Sequence, residues 1–347
     1  MTRKLATLGL IFACVTAAWA CGDDDDDKGD AGDKRDAGDE HDQDAGDSHE
    51  KPDARGKYLV ENLGACGDCH TPRLESGAPD MSKALSGVKC FIDADPTKDD
   101  FGCLSSANLT NHETGLKNRS KQEIKDMFLK GERPDGKALH PVMPYYVLGN
   151  MSEADADAIV AYLRTLPGVD NMLPANQAPF TAPDMPAPRF PAAKIPEPAK
   201  NYANRAAALR GKYLAGNFGV CMECHTSRTE MGGLDPDKLF QGGEEFARDD
   251  LGLPMVFPEK IYSANITAHE NGIKGWTIDD IVTAIKKGTD KDKEGLCPPM
   301  PSGPMGAFGG LTDADVRDIA HYLLSIPPGD NKIPEECSAP MMPGGGS

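Results

Sequence analysis

The stretch Cys66-Gly67-Asp68-Cys69-His70 returns later in the chain as Cys221-Met222-Glu223-Cys224-His225. A Cys-x-x-Cys-His run has the spacing of covalent haem c attachment. Two thiols on one helical turn each add to a haem vinyl group, and the adjoining histidine then lies under the iron as its proximal ligand. A zinc site or a thiol redox pair competes for a single copy of such a motif. Two copies, each inside a longer repeat, favour two covalently bound haem c groups. Cys66, Cys69, Cys221 and Cys224 are then the attachment points, and His70 and His225 the iron ligands.

The repeat runs outward from these motifs and sets the architecture. Arg55-Gly-Lys-Tyr-Leu59 returns as Arg210-Gly-Lys-Tyr-Leu214, and Ser106-Ala-Asn-Leu-Thr110 as Ser263-Ala-Asn-Ile-Thr267. Met143 and Met300 each stand just before a proline, and the segment from Ser152 to Leu163 matches that from Thr312 to Leu323. Two tandem domains follow, 55–170 and 201–337, joined by a linker over 171–200 that holds eight prolines and favours extended geometry. A Gly-rich tail occupies 338–347. The pattern in each copy is all-α. Short helices over 54–63 and 209–218 lead into the motifs. Ser120-Lys-Gln-Glu123 carries a capping box for a helix ending at Gly131, and Thr277 starts its twin. A last helix runs from Ser152 or Thr312 to Pro167 or Pro327, with Ile159, Tyr162 and Leu163, or Ile319, Tyr322 and Leu323, on one apolar face.

Residues 1–20 read as a signal peptide: Arg3 and Lys4, an apolar run, then Ala18-Trp19-Ala20. Cys21 follows at once, and lipidation there would tether the chain to a membrane. Residues 21–54 form an acidic tether with nothing apolar to bury, which predicts disorder. Over the whole chain 55 acids face 37 Lys and Arg, a net charge of −18. No basic stripe is present, which argues against nucleic acid and suits a basic redox protein as partner.

A second axial ligand converts a haem iron to electron transfer. Met143 and Met300 occupy the same place in the repeat, each in a proline-stiffened loop, and are the expected sixth ligands. Met305 is the rival in the second copy. His140 is matched by Cys297 and His321 by Ala161, so neither fits a shared role. His112 and His269 match each other but read as surface or hydrogen-bonding residues. Asn108, Thr110, Asn265 and Thr267 could donate to haem propionates, or could serve only as turn caps. Of the remaining cysteines, Cys90, Cys103, Cys297 and Cys337 are expected to pair within each domain, Cys90 with Cys103 and Cys297 with Cys337, in an oxidising exported compartment.

These residues together resemble bacterial class I c-type cytochromes with two haem domains. The chain is especially similar to the cytochrome c subunits of periplasmic alcohol and sugar-acid dehydrogenases. The resemblance is carried by Arg55-Gly-Lys-Tyr-Leu, Asn108-Leu-Thr, His140-Pro-Val-Met143-Pro-Tyr and Ala161-Tyr-Leu-Arg-Thr-Leu-Pro, and covers residues 55 to about 335. Such subunits often carry three haems, whereas this chain has two motifs. The resemblance implies an electron carrier rather than an enzyme, in the bacterial envelope on the periplasmic side. Its partners would be a dehydrogenase subunit, an oxidase or a soluble cytochrome. The alternative is a di-haem peroxidase with one open, catalytic iron. A further alternative makes Cys297 an iron-ligating thiolate.

Overall fold

Ser120 accepts a hydrogen bond from the Glu123 N–H, and the Glu123 carboxylate accepts from the Ser120 N–H. Thr277 and Asp280 repeat this reciprocal cap. The two caps open helices Lys121–Lys130 and Ile278–Lys287, each closed by a left-handed glycine, Gly131 and Gly288. The computed structural model describes residues 52–95, 97–218, 220–248, 255–334 and 337, which belong to one compact unit. The expected signal peptide, Cys21, most of the acidic tether and the tail lie outside the described residues.

In chain order, the first half holds helices α1 (Pro52–Tyr58), α2 (Cys66–His70), α3 (Lys121–Lys130), α4 (Tyr145–Leu148) and α5 (Glu153–Leu163). The second half holds α6 (Arg205–Lys212), α7 (Cys221–Cys224), α8 (Ile278–Lys287) and α9 (Asp313–Leu323). The frame of each half is a crossing of its first and last helices, α1 on α5 and α6 on α9. A glycine makes each crossing possible. A Cβ added to Gly56 would stand 1.9 Å from the Ala158 carbonyl oxygen, and one added to Gly211 would stand 1.9 Å from that of Asp318. The apolar faces predicted for α5 and α9 are buried there, with Val160 and Ile319 in the core beside Tyr162 and Tyr322. An arginine locks each crossing: Arg55 Nε donates to Asp155 at 2.9 Å, and Arg210 Nε to Asp318 at 2.6 Å.

Two features depart from the reading of the sequence. The helices expected over 54–63 and 209–218 are not α-helical throughout, because Leu59–Leu63 and Tyr213–Phe218 widen into π-helical turns just before the motifs. Such widenings recur at functional sites. The described chain is largely helical, as expected, with one addition. Each half carries a two-stranded antiparallel ladder, β1 (Ile92–Asp93) with β2 (Cys103–Leu104) and β3 (Glu245–Ala247) with β4 (Lys260–Tyr262). Strands of two or three residues show no readable alternation. The expected disulfides are present, Cys90–Cys103 beside the first ladder and Cys297–Cys337 in the second half.

The proline-rich segment after residue 170 is bonded to both halves. Gln177 N–H donates to the Cys103 carbonyl at 2.9 Å, Ala187 N–H to the Tyr145 hydroxyl at 2.8 Å, and Ala199 N–H to the Ser325 carbonyl at 2.9 Å. Ile195 is buried and packs on Gly216. Prolines lack an N–H to satisfy, so an extended strap can lie on a surface with few orphaned donors. Among the described residues no helix is long and apolar enough to cross a membrane.

Candidate haem-attachment sites

Each motif helix enters from a π-helical turn and ends on a buried histidine. His70 and His225 are 8% and 9% exposed. The Nδ1 atom of His70 lies 2.8 Å from the Ala107 carbonyl, and that of His225 lies 2.7 Å from the Ala264 carbonyl. A carbonyl only accepts, so Nδ1 carries the proton and Nε2 is left with its lone pair. Burial lowers the pKa of both rings, which favours the neutral, ligating form.

The frame around each histidine is the same. Gly87 and Gly242 donate to the carbonyls of His70 and His225 at 2.7 and 2.8 Å, and both have positive φ. Thr71 and Thr226, each next after the histidine, accept from the N–H of Leu85 and Phe240. Leu85 and Phe240 are themselves left-handed, at φ 60° and 63°. The reading of the sequence missed these residues. The signal was there, since each pair occupies matching places after the two histidines.

The Ser-Ala-Asn turns hold the carbonyls in place. Asn108 donates to Thr114 Oγ1 at 3.0 Å and to the Val169 carbonyl at 2.9 Å, and accepts from the Thr110 N–H and hydroxyl. Asn265 donates to the carbonyls of Gly329 and Asn331 at 2.8 and 3.1 Å, and accepts from Thr267 in the same way. Both amide protons of each asparagine therefore have protein acceptors. This geometry makes the four residues clamps that tie the turn to the chain beyond the last helix.

Met143 and Met300 are both half-buried and packed against the core, each N–H bonded three residues back, to His140 at 3.1 Å and Cys297 at 3.3 Å. Met305 is fully exposed and packs on nothing. Cys297 is bonded to Cys337, so it has no thiolate to offer an iron. His112 faces Thr114, His269 accepts from the Asn271 N–H, His321 faces Tyr202, and His140 stacks edge-on against Phe180.

The donor set fits covalent haem. Cys66, Cys69, Cys221 and Cys224 are unpaired in a chain whose other described cysteines are all bonded. Burial pushes the Cys66 and Cys221 thiols up to about 12, so both are protonated near neutral pH. Among the described residues no group of three His, Cys, Asp or Glu is placed to hold a metal ion alone. When bound, haem supplies a one-electron iron couple.

Residues 54–167 match the family described as Cytochrome c. That stretch is a cytochrome c domain. The chain as a whole is similar to the cytochrome c subunit of a quinone alcohol dehydrogenase from Gluconobacter oxydans, at 28% identity over 83% of this chain and 56% of the relative. It is similar to the fructose dehydrogenase cytochrome subunit of Gluconobacter japonicus, at 26% identity over 81% of this chain and 54% of the relative. A subunit of the nicotinate dehydrogenase of Pseudomonas putida matches at 29% identity over 78% of this chain, but only 21% of its own length. The chain thus spans from a fifth to just over half of these relatives. The second half, outside the matched cytochrome c stretch, repeats its histidine, glycine and methionine placements.

Proposed function

We propose that this is an electron-transfer protein carrying two covalent haem c groups, one in each half. Cys66 and Cys69 attach the first, with His70 and Met143 on its iron. Cys221 and Cys224 attach the second, with His225 and Met300. The observation that carries this reading is the repeated frame: in each half a buried histidine is held by a backbone carbonyl through Nδ1, with a core-packed methionine in the matching loop. Held by His70 and Met143, and by His225 and Met300, the haems would supply one-electron couples with no position for a substrate. The protein then supplies burial, ligand orientation and exclusion of water.

The relatives are named as cytochrome subunits of dehydrogenases, which supports a dehydrogenase as electron donor and a downstream respiratory component as acceptor. The basic and apolar leader, followed by Cys21, supports export and a lipid anchor on the periplasmic side of the cell envelope. A peroxidase needs an open iron, and the matched methionines argue against one in either half.

The test is absorption and magnetic circular dichroism of the purified protein beside Met143→Ala and Met300→Ala. Two ferric sulfur-to-iron charge-transfer contributions, each removed by one substitution, are expected. A high-spin or peroxide-binding haem in the unsubstituted protein would replace this reading with an enzymatic one.

A further inference from the structure

The two haem sites share one frame but differ in the charges beside it. Glu223 lies between the two cysteines of the second motif, and its side chain is only 12% exposed. Its carboxylate accepts from Arg228 Nη2 at 2.5 Å. It also accepts from the hydroxyl of Tyr146, which reaches it from the first half at 2.7 Å. Arg228 Nη1 donates to the same hydroxyl at 2.7 Å, and its Nε donates to Glu244 at 3.1 Å, a side chain 20% exposed. Two carboxylates thus share one guanidinium. The cluster keeps a net negative charge, mostly shielded from water, against the second attachment helix.

The first site lacks this cluster. The counterparts of Glu223 and Arg228 by position in the repeat are Asp68 and Arg73, and both are exposed. Glu244 has an uncharged counterpart, Val88. Glu244 N–H donates to the Ser263 hydroxyl at 3.0 Å and Val88 N–H to the Ser106 hydroxyl at 2.9 Å. The serine N–H groups return bonds to Glu244 and Val88 at 2.9 and 3.0 Å. Glu223 and Arg228 bear on Cys224 as Asp68 and Arg73 bear on Cys69, so the charge peculiar to the second site is that of Glu244.

We propose that Glu223, Arg228 and Glu244 make the second haem site the one of lower reduction potential, so that an electron enters at the His225 site and passes downhill to the His70 site. A fixed negative charge stabilises the more positive, ferric state, and does so more strongly where water is excluded. The first site has one exposed acid, Asp68, one exposed base, Arg73, and, among the described residues, no second carboxylate, so its ferrous state is not penalised in this way. The transfer moves one electron from a ferrous to a ferric iron, with no bond made or broken. Tyr146 has a positioning role. It stands on α4, directly after the Met143 loop, and pins Glu223 from across the boundary between the halves. The inference rests on the two-haem reading above.

The experiment is potentiometric titration of the full chain, followed by haem absorbance, after intact mass has counted the haems. Each wave is assigned by whether Met143→Ala or Met300→Ala displaces it. The Met300-linked wave is expected at the lower potential. Glu244→Gln should raise that wave and leave the other in place, narrowing their separation, while Glu244→Asp should largely restore it. The converse substitution Val88→Glu should lower the Met143-linked wave alone. Two haems with the order reversed, or Glu244→Gln moving both waves equally or neither, would overturn the inference alone. A mass showing only one haem would overturn the two-haem reading, and the inference with it.

Discussion

The phenol of Tyr58 donates a 2.5 Å hydrogen bond to Asp315, 257 positions away in the other half of the chain. The bond is reciprocated: Tyr213, which matches Tyr58 in the repeat, donates to Asp155, which matches Asp315, at 2.6 Å. Each tyrosine hydroxyl also accepts the N–H of the residue capping the opposite last helix, Thr312 at 3.3 Å and Ser152 at 3.0 Å. A further reciprocal pair runs from Asn62 to the Ala307 carbonyl and from Asn217 to the Asn150 carbonyl. The halves are therefore joined about a local two-fold relation. Phe218 of the second half lies against the Gly64–Cys66 entry to the first motif.

Removing either hydroxyl should loosen this junction. Hydrogen bonds to a charged acceptor contribute about 1.5–3 kcal/mol. Tyr58→Phe and Tyr213→Phe should each lower stability by an amount in that range. The double substitution should split one unfolding transition into two, seen by far-ultraviolet dichroism in a urea titration. A single transition with an unmoved midpoint would show that these bonds do not hold the halves together.

Gly56 predicts a sharper effect. The atom that a Cβ would meet at 1.9 Å is the backbone oxygen of Ala158, with the Tyr162 Cβ at 2.7 Å, so no side-chain rotation relieves the clash. Overpacking a core costs about 1–3 kcal/mol, occasionally more. Gly56→Ala should fall at the upper end, about 3 kcal/mol, by separating α1 from α5. Gly136→Ala is the control, because nothing lies within 4 Å of its added Cβ and only its positive φ is strained. Equal urea midpoints for Gly56→Ala and the parent would contradict the crossing described here.

The contrast between Ser120 and Tyr58 shows what the chain reveals locally and what it hides. Ser120, Glu123 and Gly131 lie within one helix, so the cap and the stop are legible in order. The same is true of α5 and α9, whose apolar periodicity spans three turns. The cysteine pairing was readable because only one partition kept both bonds within a half. The histidine anchors were not, because their acceptors are backbone carbonyls, which every residue has. The Tyr58–Asp315 bond has no local signature, since Arg-Gly-Lys-Tyr reads equally well as a helix facing its own half. Nor does Asn108 announce its partners, because Val169, which takes one of its amide protons, lies 61 residues further along the chain.

Acid should expose the two capping boxes. The backbone N–H of Ser120 holds Glu123 below its ordinary 4.5, and that of Thr277 holds Asp280 below its ordinary 3.8. With the folded pKa depressed, the unfolded chain binds more protons between the two values, so stability rises with pH there. The contribution is complete above the ordinary value and is lost as pH falls through the folded one. Glu123→Gln and Asp280→Asn should therefore flatten the acid limb of a stability profile below about pH 4.5, with no change near neutrality in its slope. An acid limb as steep in the double variant as in the parent would mean that other carboxylates control it.

The two disulfides should differ in what they protect. Their cysteines are separated by 13 and 40 residues. Restricting the unfolded chain is worth about 3 kcal/mol for the shorter loop and about 4 kcal/mol for the longer, on the chain-entropy account. The longer bridge has a second consequence. Cys297 accepts the Met300 N–H at 3.3 Å, so the bridge to Cys337 also fixes the loop proposed to hold the second iron's sulfur ligand. Cys337→Ser should lower stability more than Cys90→Ser. It should also weaken the sulfur-to-iron band of the second haem while sparing the first. Cys90→Ser should leave both bands intact, as should Met305→Ala, whose side chain is free in solvent. Loss of the first band in Cys337→Ser, or persistence of both, would separate the bridge from the ligand loop.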